Sequence, residues 1–235
     1  MRFYFPDIEK TAELTGDAHT HAAYSLRIRT GDYITVFDGK GTEYSCRVKD
    51  VKKDRTELEI IDRSENVGET KTDISLYLSV IKQDRFELAV QKATELGVTR
   101  IIPVYSTFTQ RGGSLNFERL NRIAVSACEQ CGRSRVPEIE PCIEFEELLE
   151  RAAKTHTIFP WEREMKNSLK SAIDKSATAI AVFVGPEGGI TETEKQQLTD
   201  VGARAVTLGP RILRAETAAI TALSVICCEM GEWNL

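Results

Sequence analysis

The chain lacks any apolar run approaching the roughly 20 residues that a membrane-spanning helix requires. Its opening residues, MRFYFPDIEKTAE, lack the apolar stretch of a secretion signal, so a cytoplasmic protein is expected. Neither GxGxxG nor GxxxxGK[ST] occurs, so nothing points to a dinucleotide or a nucleoside triphosphate. Histidine is scarce: His19, His21 and His156 are the only three. Cys128 and Cys131 form a CxxC without a second one, so no metal site is legible. The pair reads as structural thiols on a helix, or else as a redox couple or half a metal site. With no secretion signal, the six cysteines are expected to be reduced. No Ser/His/Asp arrangement stands out. The net charge of −5 does not advertise nucleic-acid binding.

The composition, 41% hydrophobic and 29% charged, is that of an ordinary soluble globular protein, and 235 residues suit one large or two modest domains. The first part reads as β-rich. Arg2 to Phe5 is short and aromatic; Asp32 to Phe37, Thr42 to Val51 and Thr56 to Ile61 are alternating or β-branched. Asp38-Gly39-Lys40-Gly41 is a hairpin signal between two of these. Short strands with glycine turns predict a small barrel, interrupted by a helix over His19 to Arg29. The polar stretch Asp62 to Asp73 marks the domain boundary.

Beyond it, strand and helix patterns alternate. Strands are expected at Ile74–Ile81, Thr99–Val104, His156–Phe159, Ala177–Val184 and Ala205–Leu208. Helices are expected at Arg85–Leu96, Asn116–Gln130, Phe145–Ala153, Met165–Ile173, from a Thr191–Glu194 capping box to Gly202, and at Ala215–Met230. This alternation predicts an α/β domain with a parallel sheet.

Two loops carry the chemistry. VGPEGG, Val184 to Gly189, follows a buried strand; LGPRILRAETA, Leu208 to Ala218, follows another and opens into an apolar helix. Glycine lets a ligand approach the backbone, and ligands of parallel sheets bind at the carboxyl ends of the strands. Arg211, Arg214 and Glu216 stand beside the second loop. From Arg111 to Arg135 there are five arginines and two glutamates, a local balance of +3 that suits phosphate contacts or a solvated helix face. Lys92 and Glu95 are placed to pair on one helix face.

Taken together, HAAYSLRIRTGD (His21–Asp32), FDGKG (Phe37–Gly41), KQDRFELAVQKATELGVTRIIP (Lys82–Pro103), EQCGRSRVP (Glu129–Pro137), VGPEGGITETE and LGPRILRAETA span nearly the whole chain in order. This set resembles the RsmE family of bacterial 16S ribosomal RNA methyltransferases, within the SPOUT superfamily. The chain departs from the family at position 20, where Thr stands in place of a frequent second His, and at Ser25, where Val is common. The resemblance implies an α/β protein with an N-terminal PUA-like β-barrel over residues 1–70 that helps hold RNA. A SPOUT methyltransferase domain over 74–235, with a parallel sheet and a deep trefoil knot, would follow. It further implies a homodimer, S-adenosylmethionine as methyl donor, and methylation of a uridine at N3 in 16S RNA of the assembled small ribosomal subunit, with no membrane and no metal. Carried onto this sequence, the cofactor residues would be Phe159, Val184, Gly185, Gly188, Gly189, Leu208, Gly209, Ile212 and Leu213, with Phe159-Pro160-Trp161 as a third loop. Arg214 would be the catalytic cation, Glu216 the candidate base, and Arg27, Arg111, Arg133 and Arg211 the RNA contacts. Another methyltransferase of the superfamily, acting on a different RNA or base, or a non-catalytic RNA-binding factor that kept the fold, remain the alternatives.

Overall fold

The computed structural model describes residues 1–111 and 115–234. It divides into two compact units, Met1–Glu69 with Val125–Val136, and Thr70–Ala124 with Pro137–Leu235.

In the first unit, β1 (Arg2–Tyr4), α1 (Ile8–Thr11), β2 (Glu13–Thr15), α2 (Gly16–Thr20), β3 (Tyr33–Phe37), β4 (Thr42–Val51) and β5 (Arg55–Glu65) follow in order. The five strands form one sheet in the order β1-β3-β4-β5-β2. Alternation in β4 sends Tyr44, Cys46 and Val48 inward, where they meet Phe3, Leu14, Ile34, Val36 and Leu58 in a single core. Register shifts at Ser45/Cys46 and Val48/Asp50 are bulges of the kind that bend a strand around such a core. The hairpin turn at Asp38 forms as its sequence suggests: the Asp38 carboxylate accepts the Lys40 and Thr42 N–H groups, at 2.7 and 3.0 Å.

The predicted helix over His19–Arg29 is broken. After α2 the chain makes a π-turn over His21–Ser25, and Arg27 takes a left-handed conformation, φ 53°, which no helix continues through. The stretch from Asp62, read as the domain boundary, carries the end of a strand. β5 runs on to Glu65, and the chain then turns at Asn66 and Gly68, both at positive φ. Val67 and Glu69 there receive hydrogen bonds from Ser134, Arg133 and Arg135. These bonds draw Val125–Val136 into the first unit, away from the second domain in which contiguous sequence had placed it.

The second unit contains β6 (Asp73–Ser79), α3 (Gln83–Glu95), β7 (Arg100–Tyr105), the first part of α4 (Phe117–Cys131), β8 (Glu138–Ile139), β9 (Ile143–Glu144), α5 (Phe145–Ala152), β10 (His156–Pro160), α6 (Leu169–Ala172), β11 (Ala179–Val184), α7 (Glu192–Asp200), β12 (Arg204–Val206) and α8 (Ala215–Glu229). Its seven strands are all parallel, ordered β12-β10-β11-β6-β7-β8, with β9 also on β7. The fold is therefore α/β with a parallel sheet, as the alternating pattern required. One sheet face packs Tyr77, Ile102, Phe159, Ala181 and Phe183 against Phe145 and Leu148 of α5 and Leu198 of α7. α8 packs against α3, β6 and β11. No helix among the described residues is long and apolar enough to cross a membrane.

Of the helix expected over Met165–Ile173, only Leu169–Ala172 is helical. The Glu164 carboxylate accepts the Lys166 and Asn167 N–H groups, and the Ser168 hydroxyl accepts the Ser171 N–H as an N-cap, so helical geometry cannot start before Ser168.

Candidate functional site

Three neighbouring strands, β12, β10 and β11, end side by side: Pro160 pairs with Val206, and Ile158 with Val182. The loops that follow them enclose a cavity of about 360 Å³, within the range of small-molecule sites. Val184, Gly185, Pro186, Glu187, Gly189 and Ile190 form one wall, and Thr207 to Ala215 with Ala218 a second. Pro160, Trp161, Glu162 and Met165 make the third.

Local chemistry explains each wall. In the first, the Gly189 N–H donates to the Pro186 carbonyl at 2.9 Å, closing a turn that needs Gly189 at φ 80°. The Thr191–Glu194 capping box then starts α7 as predicted: the Thr191 hydroxyl accepts the Glu194 N–H at 3.1 Å, and the Glu194 carboxylate accepts the Thr191 N–H at 2.9 Å. In the second wall, Gly209, at φ 102°, donates its N–H to the Thr207 hydroxyl at 3.1 Å. Trp161 hangs from β12 through its N–H to the Val206 carbonyl, at 3.0 Å, and packs with Ile190 against the core. The cavity floor is thus an extension of the hydrophobic core, and its rim is main chain.

Seven of the nine residues expected to hold a cofactor line this cavity: Val184, Gly185, Gly189, Leu208, Gly209, Ile212 and Leu213. The other two do not. Phe159 is fully buried in the core beneath, in the cluster with Phe145 and Leu148 of α5 and Leu198 of α7; Pro160 and Trp161, expected beside it in the third loop, line the wall. Gly188 faces away from the cavity: a Cβ there would lie 2.7 Å from the Phe108 Cβ. Glu162 and Met165 were missed, since the loop after β10 carries no glycine signature and Met165 was read as helix.

The donor set fits a nucleoside with an attached polar tail. Ile212 and Met165 are 85% and 77% exposed although both line the cavity, and such apolar surface suits the faces of an aromatic base. Loop N–H and C=O groups suit its edge.

Arg211 and Arg214 both line the cavity and are exposed, and neither has an ion-pair partner among the described residues. Arg214 is the N-cap of α8, in an extended conformation that turns it out of the helix. The carboxylates on the lining are Glu162 and Glu187, the latter held by Arg85 at 3.0 Å. Glu216, the candidate base, is not among them. It is buried in the first turn of α8, with Oε2 lacking a hydrogen-bond partner. It therefore stands in the helix rather than on the cavity lining.

The basic segment largely finds carboxylates once folded. Arg119 pairs with Glu87 at 2.6 Å and Arg111 with Glu144 at 2.7 Å, while Arg122 approaches Glu118 at 3.9 Å. Arg133 is 2% exposed and bound to Glu69 at 2.7 Å, so this arginine cannot meet a phosphate and its RNA assignment is corrected. Arg111, over the Tyr105 ring, stays exposed, as does Arg27 in the first unit. Residues 112–114 of the segment lie outside the described residues. Lys92 and Glu95 pair at 2.8 Å, as their spacing predicted. Cys128 is a buried thiol donating to the Arg135 carbonyl, and burial pushes its pKa up to about 12.

Residues 68–227 match the family described as RNA methyltransferase domain, and residues 14–61 match the RNA methyltransferase PUA domain. A Rickettsia conorii protein named ribosomal RNA small subunit methyltransferase E is 33% identical over 222 residues, covering 91% of this chain and 88% of that protein. The crystal structure of a ribosomal RNA small subunit methyltransferase E from Neisseria gonorrhoeae, bound to S-adenosyl methionine, is 36% identical with a TM-score of 0.85; the match covers 97% of this chain and 96% of that one. A putative methyltransferase from Legionella pneumophila, in complex with the same cofactor, is 30% identical with a TM-score of 0.83, again covering 97% and 96%. With both domains matched and the glycine loops of the sequence brought to one cavity, this chain belongs to the ribosomal RNA small subunit methyltransferase E family.

Proposed function

We propose that the chain is an S-adenosylmethionine-dependent methyltransferase that methylates N3 of a uridine in 16S ribosomal RNA, on the assembled small subunit in the cytoplasm and as a homodimer. The observation that carries this reading is the cavity at the ends of β10, β11 and β12. Two of its three walls are the glycine loops, and on its lining stand two arginines without an ion-pair partner among the described residues. Relatives named ribosomal RNA small subunit methyltransferase E, one of them crystallised with S-adenosyl methionine, and a putative methyltransferase crystallised with the same cofactor support it. The deep knot belongs to the same reading; a strand order that sets β12 beside β10, and β10 beside the later β11, is compatible with it.

The residues divide the work. Val184, Gly185, Gly189, Leu208 and Gly209 would hold the adenosine by main chain, with Ile212, Leu213 and Met165 over its faces. When bound, the cofactor supplies an electrophilic methyl on a sulfonium. Uridine N3 carries a proton, and its lone pair becomes available only as that proton leaves. That proton passes to solvent water, which reaches the exposed lining, and Arg214 stabilises the resulting anion by placing a guanidinium beside it, which lowers the cost of deprotonation. Arg211 meets an RNA phosphate. Arg27 and Arg111 supply further phosphate contacts, which fix position without reading sequence.

The test combines purified protein, labelled S-adenosylmethionine and small subunits from a strain lacking the modification, followed by nucleoside mass spectrometry. Labelled 3-methyluridine is the expected product. A different methylated nucleoside refutes the acceptor; bound cofactor without transfer refutes the substrate.

A further inference from the structure

We propose that Glu162 reads the positive charge of the cofactor. Its carboxylate is the counter-charge that makes the cavity prefer a cationic adenosyl compound over a neutral one of the same shape. The inference rests on the reading that this cavity holds S-adenosylmethionine.

Glu162 stands in a tight turn of the loop after β10, and that loop is tied to β12 on either side of it. Before it, the Trp161 N–H donates to the Val206 carbonyl at 3.0 Å; beyond it, the Thr207 N–H donates to the Asn167 carbonyl at 2.8 Å. The Glu164 N–H closes the turn on the Trp161 carbonyl at 3.0 Å. The charged side chains around Glu162 are engaged within the protein. Arg163 pairs with Glu192 at 2.7 Å. The Glu164 carboxylate accepts the Lys166 and Asn167 N–H groups at 2.7 and 3.0 Å. Lys195 lies over the Trp161 ring, 5.4 Å from its centroid. Glu162 itself makes no ion pair or hydrogen bond with the described residues. Its exposure lets water solvate the carboxylate, so the lack of an internal partner carries no burial penalty.

The carboxylate is set against the cavity. Glu162 is on its lining, and so is Gly189 of the facing glycine loop. A Cβ at Gly189 would lie 3.8 Å from Glu162 Oε1 and 3.9 Å from Oε2 and Cδ. The whole carboxylate group therefore fronts the opposite wall, and the missing side chain at 189 leaves room beside it. The Gly189 N–H, bonded to the Pro186 carbonyl at 2.9 Å, fixes that wall in turn.

Four charged side chains stand on the lining: Glu162, Glu187, Arg211 and Arg214. Arg85 neutralises Glu187 at 3.0 Å, and the two arginines suit anions. Of the four, Glu162 is the one that offers an uncompensated negative charge. S-adenosylmethionine carries two positive charges, one on the sulfonium and one on the ammonium of its amino-acid tail. A carboxylate that meets either gains a charge-assisted contact that a neutral analogue cannot offer. Trp161 and Ile190, also on the lining, pack against the hydrophobic core. A ligand seated on them excludes water from around the pair, which strengthens an attraction that open solvent would screen. Methyl transfer turns the sulfonium into a thioether, so a carboxylate reading the charge at sulfur favours the methyl donor over its own product.

The experiment is calorimetric titration of wild type and Glu162→Gln, which keeps the side chain's size and removes its charge. The ligands are S-adenosylmethionine, S-adenosylhomocysteine, neutral methylthioadenosine, and the dimethylsulfonium analogue of adenosine, which keeps the sulfonium without the tail. Glu162→Gln is expected to weaken S-adenosylmethionine binding about ten- to a hundredfold, as for loss of a hydrogen bond to a charged group, and to leave methylthioadenosine unchanged. An equal loss for S-adenosylhomocysteine supports the assignment and places the contact at the ammonium. A loss confined to S-adenosylmethionine and the dimethylsulfonium analogue supports it and places the contact at sulfur. Unchanged affinity for S-adenosylmethionine overturns the proposal. So does an equal loss for methylthioadenosine, which would make Glu162 a strut of its loop rather than a reader of charge. Wild-type protein that binds none of the four overturns the cofactor reading of the cavity, and this assignment falls with it.

Discussion

Replacing Glu69 with Gln isolates a buried ion pair within the first unit. The Glu69 carboxylate binds the Arg133 guanidinium at 2.7 Å through Oε2 and accepts the Arg135 N–H at 2.8 Å through Oε1. The side chains are only 8% and 2% exposed. Glutamine keeps an amide oxygen for the Arg135 N–H and removes the charge, so the buried guanidinium loses the Glu69 carboxylate charge. Breaking one side of a buried pair costs about 3–5 kcal/mol, because the remaining charge is already desolvated. At about 1.4 kcal/mol per factor of ten, local opening of Val125–Val136 should rise by two to nearly four orders of magnitude. Three amides report this opening: Ser134 N–H to the Val67 carbonyl at 3.0 Å, Gly41 N–H to the Ser134 carbonyl at 3.2 Å, and Val136 N–H to the Gly39 carbonyl at 3.0 Å. Hydrogen exchange at these amides should accelerate by at least a hundredfold in Glu69→Gln, while the Val80 N–H, bonded to Val104 in the second unit, keeps its rate. Acceleration below tenfold at the three amides, or equal acceleration at Val80, would refute the view that this pair holds the segment in place.

Arg214→Ala should lose turnover by at least about a hundredfold, as expected when a charge-stabilising group is removed, while calorimetry finds cofactor affinity kept; equal loss of both would make Arg214 a cofactor residue. Gly209→Ala should weaken cofactor binding through backbone strain alone, since φ is 102° and no atom lies within 4 Å of the added Cβ; an unchanged calorimetric affinity would remove Gly209 from the site. Thiol labelling of native protein at pH 8 should spare Cys46 and Cys128, whose burial pushes their pKa values up to about 11 and about 12, and should reach both in denaturant. Burial pushes the His156 pKa below its ordinary value of 6.5, the folded state thus binding fewer protons than the unfolded chain. Stability should then fall as pH drops through 6.5 towards the depressed value, and His156→Gln should flatten that part of a urea-midpoint profile between pH 7 and 5.

Much of this protein is written locally. The period of Arg85–Leu96 and the apolar run of Ala177–Val184 sufficed for α3 and β11, because burial of one stripe or of both faces shows directly in residue order. The capping box at Thr191 and the hairpin at Asp38 were equally legible, since their partners lie within four residues. Most of the cavity wall could be read too, because glycine at positions such as 189 and 209 marks the positive φ that the loops adopt. The breaks in the His19 and Met165 helices were not legible: they depend on a π-turn and on one carboxylate, Glu164, turning to two nearby amides.

The remaining decisions belong to tertiary structure, for one physical reason: an ion pair, a close contact or a strand register depends on residues far apart in the chain. Sequence placed Arg133 among phosphate-binding arginines, and only folding supplied Glu69 to bury it. Gly188 looked like its neighbours in the glycine loop until Phe108 packed against it. Sequence alone determined the two domains' composition, the alternating α/β pattern and the glycine loops that hold the site. The parallel order β12-β10-β11 is what set those loops, with the third loop from Pro160 to Met165, around one cavity, because lateral strand neighbours are chosen by packing across the sheet and leave no mark on local sequence.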